Sequence, residues 1–133
     1  MTAAPSEGGF RLEESAGGLA TGLAAFHGSG ESIWIGWPGV PSDRLEEHCA
    51  ALDAELLAMD CAGVHLTDSE IRGYYSGYSN TAIWPLFHYF QQYARSDPDE
   101  WKAYRAVNRK FADSVAEHAQ PGDIVWIHDY HLM

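Results

Sequence analysis

Hydrophobic positions along the chain alternate between short β-branched runs and helix-spaced stripes. Residues 1–16 are polar, small and glycine-containing and read as a loop or tail, with residues 1–10 lying outside any packed element. From Gly17 onward, Leu19, Leu23 and Phe26 recur at helical spacing. Ser32–Trp37 is short, β-branched and aromatic, then broken by Pro38-Gly39, which predicts a strand. Ser42-Asp43 is placed to cap a helix from Arg44 to about Leu57, with Leu45, Cys49, Leu52 and Leu56 on one face. Val64–Leu66 is a short strand candidate, and Thr67 with Glu70 has the spacing of a capping box. Pro85 fits the first turn of a helix starting near Trp84. Asp97-Pro98-Asp99 opens a long helix to about His118, whose Trp101, Tyr104, Val107, Phe111 and Val115 form a buried stripe. Ile124–Ile127 closes the pattern as a continuous apolar run, the signature of a strand buried on both faces.

Strands alternating with helices imply a parallel sheet with right-handed crossovers. The fold class is therefore α/β, a Rossmann-like parallel sheet with flanking helices, over residues 11–133. Only three strands are legible, so the chain is expected to be part of a larger domain. Removal of a neighbouring strand would leave backbone groups without partners, and the isolated chain is expected to be marginally stable and prone to associate.

Net charge is −11 and the chain has only eight Lys and Arg residues. Nucleic-acid binding depends on phosphate neutralisation by such residues, which excludes that class. No stretch approaches the length of a membrane span. The amino terminus lacks the basic and apolar regions of a secretory leader, so a cytoplasmic location is the expectation. Cys49 and Cys61, both among small and apolar residues, are expected to be buried free thiols.

Three constellations carry candidate chemistry. Ser15-Ala16-Gly17-Gly18-Leu19 sets paired glycines at a helix start, suited either to a tight turn or to the approach of a phosphate. Tyr74-Tyr75-Ser76-Gly77-Tyr78-Ser79-Asn80, followed by Trp84, mixes aromatic faces with hydrogen-bonding groups, as a sugar site requires; Phe87, Tyr89 and Phe90 fit an ordinary core instead. His128-Asp129-Tyr130-His131 follows the last apolar run, and ligands in open α/β sheets bind at such strand ends. Its histidines and aspartate are metal-ligand types, but no third cluster of ligands supports them. A carboxylate accepting sugar hydroxyls fits Asp129 better, and a helix cap is the alternative.

Together these residues resemble the trehalose-6-phosphate synthases, a family of glycosyltransferases. The matching blocks run in family order: Ser15–Ala20, Trp34–Gly39, Tyr74–Asn80, Ile83–Tyr89, then Trp101, Tyr104, Val107-Asn108 and Phe111-Ala112, and finally Asp123–Leu132. The resemblance covers about residues 11–133 and implies the N-terminal, acceptor-side Rossmann-like domain of a GT-B fold, in which two such domains face each other across a cleft. It implies transfer of glucose from UDP-glucose to glucose-6-phosphate with retention, without a metal or other cofactor. It further implies that Tyr75, Trp84 and Asp129 contact glucose-6-phosphate, that Trp37 shapes the pocket, and that Gly17 and Gly18 lie in the loop that closes on UDP-glucose. No residue of the chain is assigned a catalytic role by it.

The family also begins with a strand ending in Ser-Asn-Arg, whose arginine grips the acceptor phosphate. Residues 1–10 contain no such motif, and Arg11 stands too close to Gly17 to take that role. The donor-binding second domain would follow the His-Asp-Tyr-His block, so these 133 residues alone are expected to lack synthase activity. A glucosylglycerol-phosphate synthase is the neighbouring enzyme reading. A non-catalytic partner that docks on a full-length synthase, or forms a homo-oligomer, is the reading from a different class.

Overall fold

A computed structural model describes residues 2–6, 9–13, 18–27, 32–45 and 48–133. The chain divides into two compact units, residues 1–65 and 66–133.

In the first unit, β1 (Thr2–Ser6) and β2 (Gly9–Glu13) pair antiparallel, from Thr2 opposite Glu13 to Ser6 opposite Gly9. Within the expected tail, the described residues 2–6 and 9–10 are therefore paired strand. Its residues have little intrinsic strand preference, and tertiary contacts decide the matter: Ala3 is 3% exposed and its N–H donates to the Pro38 carbonyl at 2.7 Å. Helix α1 (Gly18–His27) follows, as the spacing of Leu19, Leu23 and Phe26 predicted. Strand β3 (Trp34–Gly36) pairs in parallel with β4 (Cys61–Gly63).

Strand β4 lies earlier than the expected Val64–Leu66. The register follows from Trp34 N–H bonding the Asp60 carbonyl at 2.9 Å and Val64 N–H bonding the Gly36 carbonyl at 2.8 Å. Small residues suit this strand because α2 (Cys49–Leu57) lies close over it: a β-carbon on Gly63 would come within 3.1 Å of both Asp53 and Leu56. Ser42–Arg44 forms a 3-10 turn, and α2 begins only at Cys49, so the expected helix from Arg44 is shorter. Ala3, Val40, Leu45, Leu52, Leu56 and Cys61 form the core of this unit. Cys61 is buried and Cys49 half-buried, both as free thiols, and burial pushes the Cys61 thiol up.

The second unit is helical. Helix α3 (Asp68–Ile71) starts with the predicted capping box: Glu70 N–H donates to Thr67 Oγ1 at 3.2 Å, and Thr67 N–H donates to Glu70 Oε2 at 2.8 Å. Wide π-type turns run through Arg72–Ile83, with a non-helical break at Gly77, and lead into α4 (Trp84–Phe87), where Pro85 sits in the first turn. Helix α5 (Pro98–His118) has the predicted start, Asp97 accepting from the N–H groups of Asp99 and Glu100 at 2.8 and 3.2 Å. Of its predicted stripe, Tyr104 and Val107 are buried whereas Trp101 is exposed. The predicted aromatic core at Phe87, Tyr89 and Phe90 is exposed too. Tyr89 has a φ of +63°, at the end of a helix of only four residues that offers little surface to pack against.

The terminal strand is not formed. Ile124–Ile127 has no regular secondary structure and is exposed, Ile124 at 93%, and no strand among the described residues pairs with it. A strand gains stability only when its backbone groups find a neighbour, so an apolar run does not create one by itself.

Lys110 on α5 holds the α3 cap, its ammonium 2.8 Å from Glu70 Oε2 and 2.7 Å from Oε1. Burial pushes the Glu70 carboxyl up, but hydrogen bonds from Lys110 and Thr67 outweigh it and hold the carboxyl below the ordinary glutamate range. A group whose folded pKa is depressed contributes stability above its unfolded pKa, and that contribution fades as pH falls through the folded value. The urea midpoint of the second unit should therefore decline with acidification below the ordinary glutamate pKa. In Glu70→Gln, which keeps a cap and loses the titration, equilibrium unfolding should show a shallower decline over the same range.

Candidate functional site

In the second unit an aromatic layer joins the turns at 72–83 to the carboxyl-terminal segment. Its framework is α5. Tyr104 is 3% exposed, and its hydroxyl donates to the Tyr130 carbonyl at 2.9 Å. One turn on, Asn108 donates from Nδ2 to the His131 carbonyl at 3.2 Å and accepts from Met133 N–H at 2.8 Å. Residues 130–133 are thus tied to α5 by side chains four apart, which share one helix face. Tyr130 donates its hydroxyl to Asn80 Oδ1 at 3.2 Å, linking the same segment to the 72–83 turns.

Tyr75 and Asp129 meet at His131. The Tyr75 ring stacks on the His131 imidazole, with centroids 5.0 Å apart and planes at 13°, and its outer half stays exposed. Asp129 Oδ2 lies 3.1 Å from His131 Nδ1, and its Oδ1 accepts from Tyr130 N–H at 2.7 Å. Asp129 has a φ of +69°, in the left-handed region that aspartate tolerates better than most residues. Its carboxylate is half exposed.

Burial, followed by the Asp129 charge, pushes the Tyr130 phenol up. Burial foremost, then Tyr104 and Asp129, pushes Tyr74 far up. Both phenols stay protonated at neutral pH and keep their donor character. The layer therefore offers an aromatic face beside an oriented carboxylate, the pair of features that binds a sugar ring and its hydroxyls.

Trp84 lies in the same unit but makes other contacts, stacking on His88 at 4.4 Å and Phe90 at 6.0 Å. Its helix reaches the terminal segment through Phe87, whose ring is edge-on to Tyr130 at 6.4 Å. Trp37 belongs to the first unit, where its indole N–H donates to the Val40 carbonyl at 3.2 Å and its ring is partly exposed. Gly18 opens α1, and a β-carbon there would meet nothing within 4 Å; Gly17 lies outside the described residues. Arg11 is exposed on β2 and pairs with Glu13 at 2.5 Å.

His131 and Asn80 stood within the candidate constellations but were given no role of their own, and Asn108 was not singled out as a site residue. The four-residue spacing of Tyr104 and Asn108 was the available signal. Among the described residues, no group of three or more His, Cys, Asp or Glu is arranged to hold a metal ion. An open depression along α5, lined among others by Trp101, Tyr104, Asn108 and Met133, contains none of Tyr75, Trp84 and Asp129.

The sequence model of glycosyltransferase family 20 matches residues 2–133. The chain belongs to glycosyltransferase family 20. The match takes in the β1–β2 hairpin and so extends beyond the resemblance read from residue 11. Among relatives, the bifunctional trehalose-6-phosphate synthase/phosphatase of Thermoproteus tenax is 45% identical over 92% of this chain, which spans 18% of that protein.

The alpha,alpha-trehalose-phosphate synthase (UDP-forming) from Burkholderia xenovorans, solved in complex with glucose-6-phosphate, aligns with a TM-score of 0.63 and 25% identity. That alignment covers 89% of this chain and 26% of the solved one. A second structure, "Trehalose-6-phosphate from E. coli bound with UDP-2-fluoro glucose", aligns at a TM-score of 0.69 with 29% identity, over 92% of this chain and 26% of the other. The chain thus spans about a quarter of the length of these solved relatives. Its α/β architecture, a small parallel sheet with helices, is a portion of the GT-B fold of trehalose-phosphate synthases. No helix among the described residues is long and apolar enough to cross a membrane.

Proposed function

We propose that this family 20 chain supplies the acceptor side of a retaining glucosyltransferase that makes trehalose 6-phosphate from UDP-glucose and glucose-6-phosphate. In that reaction the bond between the glucose anomeric carbon and the UDP phosphate oxygen breaks. A bond from the same carbon to the acceptor hydroxyl oxygen forms, the hydroxyl proton leaves, and UDP departs. No metal or other cofactor enters this reading; helix ends and protein cations suffice to stabilise the leaving diphosphate. The observation that carries the proposal is the convergence of Tyr75 and Asp129 on His131, an exposed aromatic face next to a half-exposed carboxylate. Asp129 accepts hydrogen bonds from the sugar hydroxyls, and Tyr75 and Trp84 cover its apolar faces. The family resemblance gives Trp37 a part in acceptor recognition and Gly17 and Gly18 a part towards the donor.

Titration of the full chain with glucose-6-phosphate, followed by amide and indole resonances, tests the reading. Shifts are expected at Tyr75, Trp84 and Asp129, with binding at least about tenfold weaker in Asp129→Ala, the loss expected for a charged hydrogen-bond acceptor. Absence of those shifts, or equal affinity in Asp129→Ala, would overturn it. Tighter binding of glycerol 3-phosphate than of glucose-6-phosphate would move the assignment to a glucosylglycerol-phosphate synthase.

A further inference from the structure

We propose that His131 is a positioning residue, which fixes the Asp129 carboxylate and the Tyr75 ring in the mutual geometry that receives the acceptor sugar; this rests on the function proposed above. The imidazole is clamped on every side. Tyr75 covers one face at 5.0 Å, Tyr130 stacks at 4.2 Å, and Tyr74 meets it edge-on at 6.3 Å. Its backbone carbonyl is held by Asn108, and its side chain is only 17% exposed. The ring itself therefore cannot turn freely, whereas its two partners are mobile types: Tyr75 is half exposed, and Asp129 is an exposed carboxylate on left-handed backbone.

The contact between His131 Nδ1 and Asp129 Oδ2 transfers the rigidity of α5 to the carboxylate. With Oδ1 already taken by Tyr130 N–H, both oxygens are oriented, and the half-exposed carboxylate keeps further acceptor capacity. The arrangement requires the proton on Nδ1. Nε2 is buried and makes no hydrogen bond among the described residues, so Nδ1 is the only ring nitrogen with a polar side-chain partner there. A group held by a clamped neighbour loses less freedom on binding, and this is how His131 contributes without touching the sugar.

Two substitutions separate the functions of the ring. His131→Phe keeps the stacking surface and loses the donor; His131→Asn keeps a donor near the Nδ1 position and loses the stack. In His131→Phe the carboxylate carbon resonance of Asp129 should move and glucose-6-phosphate should bind about five- to tenfold more weakly, the size of one ordinary net hydrogen bond. The Tyr75 ring resonances should stay near their wild-type positions. In His131→Asn the carboxylate resonance should return towards wild type with part of the affinity, while the ring-current shifts of Tyr75 disappear.

Melting temperatures check that the variants fold, and Asp129→Asn reads the same contact from the other side through the His131 ring proton resonances. An unmoved Asp129 resonance in His131→Phe with unmoved His131 resonances in Asp129→Asn would overturn the proposal. So would wild-type affinity in both His131 variants. If the wild-type chain binds no glucose-6-phosphate while these resonances still respond, the positioning contact stands and the acceptor assignment fails.

Discussion

Truncation of Tyr104 to alanine is expected to destabilise residues 66–133 by about 3–5 kcal/mol, the range for deleting a buried aromatic ring. Tyr104 is 3% exposed and is the hub of the unit: its ring contacts those of Tyr74 at 5.9 Å, Tyr78 at 5.1 Å and Trp101 at 5.7 Å. The hole would border Val107, which has no exposed surface, and α5 cannot close it without shifting its other contacts. Urea unfolding followed by near-ultraviolet circular dichroism reads the change, and a loss below about 1 kcal/mol would show that the aromatic layer packs elsewhere.

Tyr104→Phe separates the ring from its hydroxyl. That change keeps the packing and removes one donor, costing about 0.5–1.5 kcal/mol. It also frees the Tyr130 carbonyl, and with it the segment that carries Asp129 and His131. Glucose-6-phosphate affinity is therefore expected to fall in Tyr104→Phe although the phenylalanine touches no sugar.

The second large effect is expected at Gly73, where the 72–83 turns cross α5. A β-carbon on Gly73 would lie 2.6 Å from the β-carbon of Ala103. No flexible side-chain end is available to yield, because Ala103 has none, so the backbones themselves must separate. Gly73→Ala should cost about 1–3 kcal/mol as overpacking, against the gain that alanine normally brings to a helical position. The partner is identified by a double-mutant cycle: Ala103→Gly in the Gly73→Ala background should recover most of the packing loss. It should leave a deficit of about 1 kcal/mol for glycine inside α5. Additive single-variant effects would mean that the two positions do not meet. Tyr75 lies two residues beyond Gly73, so tyrosine ring resonances are expected to shift in Gly73→Ala and to return in the double variant.

Local chemistry was the legible part of this chain. Thr67 with Glu70, Pro85, and Asp97 with Pro98 marked helix starts that the structure reproduces, because the caps accept from orphan N–H groups close by and proline leaves no N–H unsatisfied in a first turn. The family likewise lay open to reading, since the Tyr74–Asn80 and Asp123–Leu132 blocks carry side chains in an unusual order. The errors fell on strands, on the helix expected from Arg44, which begins only at Cys49, and on the burial of Phe87, Tyr89, Phe90 and Trp101. Thr2–Ser6 has weak strand propensity and forms a hairpin, while Ile124–Ile127 has strong propensity and forms none. A strand's energy resides in its partner, and no local pattern names that partner.

At the site, the sequence placed Tyr75 and Asp129 among the candidates but left them 54 positions apart, and it gave His131 no part in joining them. By itself, then, the sequence determined the helix starts at Thr67, Trp84 and Asp97, the α/β class and the family, because those depend on side chains acting on nearby backbone or on residue order. Only the tertiary structure decided which strands pair, which aromatic rings are buried, and that Tyr75 and Asp129 share one imidazole. Those outcomes depend on atoms distant in the chain being brought within a few ångströms by packing on α5.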